Sequence, residues 1–368
     1  MKFSCEGTDL ISAVNTVARI GGGGRLINPI LEGIKVLAKD GKVTFFATDL
    51  EMYIRKTIKA DIKEEGQVVL PGKLLGEYVN KIGTGKITLT SQGDNCILEH
   101  GNNNRGSFSL FLLEEYPDLI NLTTKPMFSI LGGDLKELIS KTTIFASTDG
   151  ARPILKGVLF EIEQGKLTSV ALDGFRLGRV ENVIKVYGDV GRIVVPARSL
   201  EEVKKLIVDE KEDINVIVEN KFMQIEIGPI TFATRLIDGE FVNYKQVIPK
   251  DFPSNIVVER KAFASSVGRT RVFGVNENKV NLVELSISDK KVEISSMSER
   301  GGGNEVIDGN LTGHDIKISF DSNYLFDALN IIEDEFIKFS YSSPLSPCVI
   351  TNTKPDNYLF LVLPLKTN

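Results

Sequence analysis

Histidine and cysteine are scarce in this 368-residue chain, with 2 and 3 copies. His100 and His314 each stand without a second ligand or a nucleophile motif beside them. Histidine is the commonest general base and metal ligand, so this isolation argues against most hydrolases and zinc enzymes. No catalytic residue, metal or cofactor is expected. Cys5, Cys96 and Cys348 are odd in number and far apart, which excludes a disulfide framework and a C-x-x-C metal knuckle and suits a reducing cytoplasm. No apolar run approaches membrane-spanning length, and Met1-Lys2-Phe3-Ser4-Cys5-Glu6 lacks the apolar stretch of a signal peptide. The expectation is a soluble cytoplasmic protein with no membrane partner. A phosphate-binding loop is missing too. Gly21 to Gly24 lead into Arg25 with no Lys-Ser or Lys-Thr, and they follow a helical pattern where such a loop precedes one. They read as a mobile loop, as do Gly301 to Gly303, and nothing here binds ATP.

What is present is an ordinary globular composition, 42% hydrophobic and 25% charged, which argues against disorder. The length suggests roughly two to three domains of about 100–200 residues. A net charge of -5 argues against a partner held by global attraction, nucleic acid first. It is blind to distribution, so one basic face remains open.

Internal repetition is the strongest signal. Asn28-Pro29-Ile30-Leu31-Glu32-Gly33-Ile34 returns as Arg152-Pro153-Ile154-Leu155-Lys156-Gly157-Val158, an offset of 153 − 29 = 124. At that offset Gly41-Lys42-Val43 meets Gly165-Lys166-Leu167, Asp49 meets Asp173 and Phe108 meets Phe232. A fainter third copy places Ile287, Lys291 and Val292 after Ile162, Lys166 and Leu167, an offset of 291 − 166 = 125. A period this long makes each repeat a domain with its own core. The spans are 1–123, 124–250 and 251–368, with linkers at Asn121 to Pro126 and Pro249 to Ser254.

Hydrophobic periods change in the same order in each repeat. Early helices are predicted at Asp9 to Ile20, Asp134 to Phe145 and Lys261 to Phe273. Strands of period two follow, such as Gly33 to Ala38 and Lys42 to Thr48 around the turn Lys39-Asp40-Gly41. Second helices are predicted at Pro71 to Ile82, Pro196 to Ile207 and Asp321 to Ile332, where Pro suits a first turn and Asp can cap. Strands such as Lys86 to Thr90, Ile214 to Glu219 and Lys338 to Ser342 close the units. The fold class is α+β.

Asp49 and Asp173 could be paired catalytic carboxylates, but a position repeated with the fold more plausibly serves the fold. The cations show order: Arg19, Lys136, Lys141, Lys261 and Arg269 on early helices, and Lys73, Lys81, Arg198, Lys204 and Lys205 on second ones. All lie off the apolar stripe. They are either normal solvated surface or one shared basic face, and Asp321 and Asp327 in the third repeat weaken the latter.

Several segments carry a resemblance that spans the chain. Leu172-Asp173-Gly174-Phe175-Arg176-Leu177, Ile237-Asp238-Gly239-Glu240-Phe241-Val242-Asn243-Tyr244 with Val247-Ile248-Pro249, and Tyr358 to Lys366 resemble, in order, segments of the bacterial DNA polymerase III beta subunit family, the DNA sliding clamps. So does the block from Asn28 to Asp49 and Glu51. The resemblance implies a non-enzymatic processivity factor: three similar clamp domains, each of two helices on antiparallel sheets, closed as a head-to-tail homodimer into a six-domain ring. Implied partners are double-stranded DNA bound without sequence preference, the DNA polymerase catalytic subunit, the clamp-loader complex and other clamp-binding-motif proteins.

By the same resemblance, Arg25 and the loop Asp149-Gly150-Ala151-Arg152 face DNA, and the helix cations Lys73, Lys136, Lys141, Arg198 and Lys205 are the ones expected to share that basic face. A partner-peptide groove comprises Leu155, Leu172, Gly174, Phe175, Arg176, Leu177, Val242, Gln246 and Val247, with Tyr324, Leu345, Leu361, Val362, Leu363, Pro364 and Leu365. Phe108 and Leu110 meet Val272 and Phe273 at the dimer interface. Leu172, Phe175, Val242 and Gln246 replace the family's Thr, His, Pro and Arg, which implies a greasier, less cationic pocket. Pro153 and Ile154 replace aromatic residues of the DNA-facing loop. An enzyme using paired aspartates and a three-domain peptide scaffold that ignores DNA are the rival readings.

Overall fold

The computed structural model describes every residue except 22–27, 119, 121, 123–124, 189–190, 275–280, 354–356 and 367–368. Its α-helices fall where the periodicity predicts: α1 Gly7–Gly21, α2 Gly72–Val79, α3 Gly132–Thr142, α4 Ala197–Leu206, α5 Arg260–Thr270 and α6 Ser322–Asn330. Thr143–Phe145 and Arg271–Phe273 continue α3 and α5 as 3-10 turns, which accounts for the longer spans expected there. The apolar stripes are inward: Leu10, Val14 and Val17 of α1, Leu135, Leu138 and Ile139 of α3, and Phe263 and Val267 of α5 are buried. Asp321 caps α6, its carboxylate accepting from Asn323 N at 2.9 Å. Pro71 and Pro196 differ from expectation. Each is the last residue of a strand, Gly66–Pro71 and Arg192–Pro196, and the helix starts after it.

The 124-residue offset is a structural repeat. Pro29–Glu32 and Pro153–Lys156 are both 3-10 turns, and strands Gly33–Lys39 and Lys42–Thr48 return as Gly157–Glu163 and Lys166–Leu172. The first hairpin turns through Asp40 (φ 51) and Gly41 (φ 70), a left-handed pair whose twist matches that of the flanking strands. Asp49 and Asp173 serve the fold. Asp49 Oδ1 accepts from Glu51 N (3.1 Å) and Met52 N (2.7 Å), and Asp173 Oδ1 accepts from Phe175 N (2.9 Å) and Arg176 N (3.0 Å). Ser298 caps the matching turn of the third repeat, accepting from Arg300 N at 3.3 Å.

The chain divides into two compact units, residues 1–133 with 185–189 and 202–236, and residues 134–184 with 190–201 and 237–368. The first unit holds a five-stranded and a nine-stranded sheet, the second a twelve-stranded sheet. The division runs through the second repeat because strands of different repeats share hydrogen-bonded ladders. In the first unit Met52–Lys59 pairs antiparallel with Ile230–Arg235, Ile54 opposite Phe232. In the second, Arg176–Val183 pairs antiparallel with Tyr358–Val362, Gly178 opposite Phe360.

Candidate functional site

That second ladder brings together segments 189 positions apart (361 − 172), because Leu177 lies opposite Leu361 and Arg176 opposite Val362. Beyond the strand, Leu363 N donates to Phe175 O and Leu365 N to Ser319 O, both at 2.8 Å. Leu155, Leu172, Leu177, Tyr244, Val349 and Leu361 form one buried cluster, with Ile154, Phe241, Ile248 and Leu363 packed against it. Beside it opens a cavity of about 720 Å³, lined by Thr143, Ser147, Asp149, Arg152, Leu155, Gly174, Phe175, Arg176 and Tyr324 among others. Its wall mixes apolar Ile144, Leu155 and Phe175 with hydroxyl and charged groups, so it can take both apolar and polar parts of a ligand.

Phe175 is 55% exposed and stacks on Tyr324, ring centroids 5.9 Å apart and 17° from parallel. The Arg176 guanidinium lies 4.7 Å from the Tyr324 centroid. It pairs with Asp173 at 2.9 Å and Asp327 at 2.8 Å, so its charge is neutralised within the wall. Burial, with Asp173 and Asp321 nearby, pushes the Tyr324 phenol above its ordinary range. Val242 and Val247 flank the turn Tyr244–Gln246 and are exposed, as is Gln246 within it; none of the three lines the cavity. Below that turn the Tyr244 hydroxyl donates to the buried Glu161 carboxylate at 2.7 Å. Arg192 Nε donates to the same group at 2.8 Å, Arg192 Nη2 donates too, and Lys245 Nζ reaches it at 3.2 Å. Burial pushes the Glu161 carboxyl up, but these donors outweigh it and the net direction is down.

Of the other expected groove residues, Val362 is buried, Pro364 and Leu365 are half-buried, and Leu345 is exposed on the turn before strand Cys348–Asn352. Lys73, Arg152, Arg198 and Lys205 are exposed and Lys136 is half-buried. Lys205 pairs with Glu202 at 2.8 Å. Arg25 lies outside the described residues.

Two expectations are corrected. Lys141 is not on the solvated side: it is 7% exposed, pairs with Glu137 and lies 4.5 Å from the Tyr358 ring centroid. Its long apolar stem lets it bury at the margin of the helix's apolar face once a carboxylate and an aromatic ring receive the charge. Phe108 does not point outward from its edge strand. It is 2% exposed beneath Tyr78, ring centroids 5.6 Å apart, while Leu110 is half-buried. At the other side of the expected interface Val272 and Phe273 are exposed.

Sequence reasoning did not select Thr143, Ser147, Asp327 or Glu161 for the groove. Glu161 carried a legible signal, as the one charge inside the apolar run Gly157 to Ile162. The three cysteines are free and buried, and burial pushes the thiols of Cys5 and Cys348 to about 12 and of Cys96 to about 11. Among the described residues no group of three or more His, Cys, Asp or Glu could hold a metal, and no helix is long and apolar enough to cross a membrane.

Comparison with known proteins gives matches along the whole chain. Residues 1–121, 130–243 and 245–366 match the N-terminal, central and C-terminal domains of the DNA polymerase III beta subunit. The beta sliding clamp of Bacillus subtilis is 28% identical over the full length of both chains. That of Rickettsia bellii is 29% identical over 91% of this chain and 92% of its own. The crystal structure of the DNA polymerase sliding clamp from Bacillus subtilis superposes with a TM-score of 0.96, covering 100% of both chains.

Proposed function

The chain belongs to the DNA polymerase III beta subunit family, the sliding clamps, and we propose on that footing that two copies close head to tail around duplex DNA and tether the replicative polymerase. The clamp is a processivity factor, and it performs no catalysis of its own. A topological link lets it slide without dissociating and keeps a tethered polymerase at high local concentration. Exposed Lys73, Arg152, Arg198 and Lys205, with Lys136 and Arg25, contact phosphates without reading bases, a local basic face that a whole-chain net charge of -5 does not preclude. The protein acts in the cytoplasm with DNA and a clamp loader.

One observation carries the ring. The same edge-to-edge ladder is used twice within the chain, Ile54 opposite Phe232 and Gly178 opposite Phe360. Phe108 precedes Phe232 by 124 positions (232 − 108), and Gly303 follows Gly178 by 125 (303 − 178). Asn104–Ser109 has one pairing partner among the described residues and so keeps an open edge. The first half of Gly301–Thr312 pairs only with Lys291–Ser298 among them. A third use of the ladder sets Phe108 of one copy opposite Gly303 of the next, with Phe273 beside it. The pairing also covers two edges that would otherwise invite aggregation.

The groove of Phe175, Tyr324, Val242 and Val247 takes a partner segment bearing a Gln and a Leu-Phe pair, whose apolar side chains bury on the Leu155–Leu172–Leu361 floor. Native mass measurement, with retention on nicked circular DNA and loss on linearisation, tests the whole reading. A monomer that binds peptides but is not retained on circles would leave only a peptide scaffold.

A further inference from the structure

We propose that Glu161 is a positioning residue for the groove: its buried carboxylate fixes the turn that carries Val242, Gln246 and Val247, and so sets the width of the peptide site. The inference rests on the groove reading above. Glu161 belongs to a sheet strand and is held by three side chains from two elements. Arg192 comes from the neighbouring strand, directly opposite it in the ladder. Tyr244 and Lys245 come from the turn itself. The two cations reach down from solvent, with side chains 63% and 57% exposed, whereas the Glu161 side chain is 4% exposed.

The turn's own backbone bonds are local: Tyr244 N to Val242 O at 2.7 Å, Gln246 N to Asn243 O at 3.2 Å and Val247 N to Tyr244 O at 3.0 Å. Phe241 and Ile248 pack against the floor on either side, while Val242 and Val247 stand at the surface, so the polar tie from the turn to the sheet runs through Glu161. The Tyr244 ring lies in the floor cluster with Leu155, Leu172 and Leu361, so a single side chain joins the floor, the turn and the carboxylate. Buried ion networks add little net stability but can select one arrangement of otherwise loose segments. Burial and the Glu161 carboxylate both push the Tyr244 phenol up, which keeps its proton available for this bond. The neutral isostere Glu161→Gln removes the charge and keeps one acceptor oxygen, so its N–H₂ must replace an acceptor either on the Arg192 side or on the Tyr244 and Lys245 side.

The test compares the parent, Glu161→Gln and Tyr244→Phe as full-length protein, with a Gln-x-x-Leu-Phe peptide as probe. Amide hydrogen exchange at Gln246 and Val247 should accelerate at least about tenfold in Glu161→Gln, and peptide affinity should fall about tenfold, the effect of losing a bond to a charged group. Tyr244→Phe should act in the same direction, about threefold, by removing one of several bonds to the carboxylate. Exchange in Leu172 to Leu177 and the dimer mass should not change. Unchanged exchange at Gln246 and Val247, or equal acceleration throughout the chain, overturns the proposal. If exchange responds locally but the parent never binds the peptide, the positioning of the turn stands and the peptide-groove reading falls.

Discussion

Phe145 stacks on Phe360, ring centroids 5.0 Å apart and 23° from parallel, over a strand position that Gly178 leaves bare. A Cβ at Gly178 would overlap the Phe145 ring, and the same relation recurs at Gly303, where a Cβ would come within 2.8 Å of Phe273 Cδ2. Two repeats thus reserve a glycine for a neighbouring phenylalanine, and in the proposed joint the strand opposite Gly303 comes from a second copy. Phe273→Asp is expected to weaken the dimer at least about 100-fold, the scale of an aromatic hot spot. Sedimentation velocity should show monomers at concentrations where the parent is dimeric. Phe273 is exposed in the protomer, so melting should barely change. An unaltered dimer removes this joint. Phe108 would be a poor probe, since its buried ring supports its own core.

The two groups of helix cations should separate experimentally. Lys141→Ala removes the Tyr358 contact and the Glu137 pair, and should cost about 1–2 kcal/mol of stability. DNA retention should remain at the parent level. Neutralising Arg25, Lys136, Arg198 and Lys205 together should instead weaken retention equally on all sequences and make its salt dependence shallower by about 3–4 in log–log slope. A marked sequence preference in the parent would contradict phosphate-only contact.

Peptide binding should be insensitive to pH between about 5.5 and 8, the window in which a histidine would titrate. Phe175 has no proton to exchange, and the Tyr324 phenol, pushed up by burial, stays neutral across that range. Salt dependence should be weak because Gln246 carries no charge and Arg176 is already paired with Asp173 and Asp327. A bell-shaped or sigmoidal titration of affinity in this range would place a titrating group in the groove.

Deleting Leu363 to Asn368 removes the Leu363–Phe175 and Leu365–Ser319 backbone bonds and a packed leucine of the floor. Each buried apolar side chain of the peptide is worth about 1.5–3 kcal/mol before ordering costs. A Gln-x-x-Leu-Phe peptide should therefore fall below detection on the truncated protein while the dimer mass is kept. Equal affinity in the two proteins would locate the partner site elsewhere.

Thiol reactivity offers a check on the cores. With Cys5 and Cys348 pushed up to about 12 and Cys96 to about 11 by burial, the thiolate is scarce at pH 8 and shielded from reagent. Native protein should show no rapid labelling by a disulfide reagent, and denatured protein three equivalents, one per cysteine. Fast native labelling of any of the three would mean that its repeat opens readily.

Repetition and period are properties of the chain itself, so the repeated α+β units, the six helix positions and the structural role of Asp49 and Asp173 could be read from the amino acids. A two-residue or 3.6-residue period records which face is apolar, and an offset of 124 (153 − 29) records that the pattern recurs. Neither records what lies across from a given side chain. Lys141 and Lys136 both read as lying off one helix's apolar stripe; the Glu137 partner of Lys141 is four residues away and visible in the sequence, but only the placement of Tyr358 decides that Lys141 is the one to bury. Phe108 sits on an edge strand, yet the distant Tyr78 covers it. The union of Leu172 to Leu177 with Leu361 to Leu365, and the convergence of Tyr244, Lys245 and Arg192 on Glu161, arise from ladders and contacts between segments far apart in the chain. Tertiary structure decided these because burial and pairing depend on neighbours in space, and one chain's local pattern is compatible with many sets of neighbours.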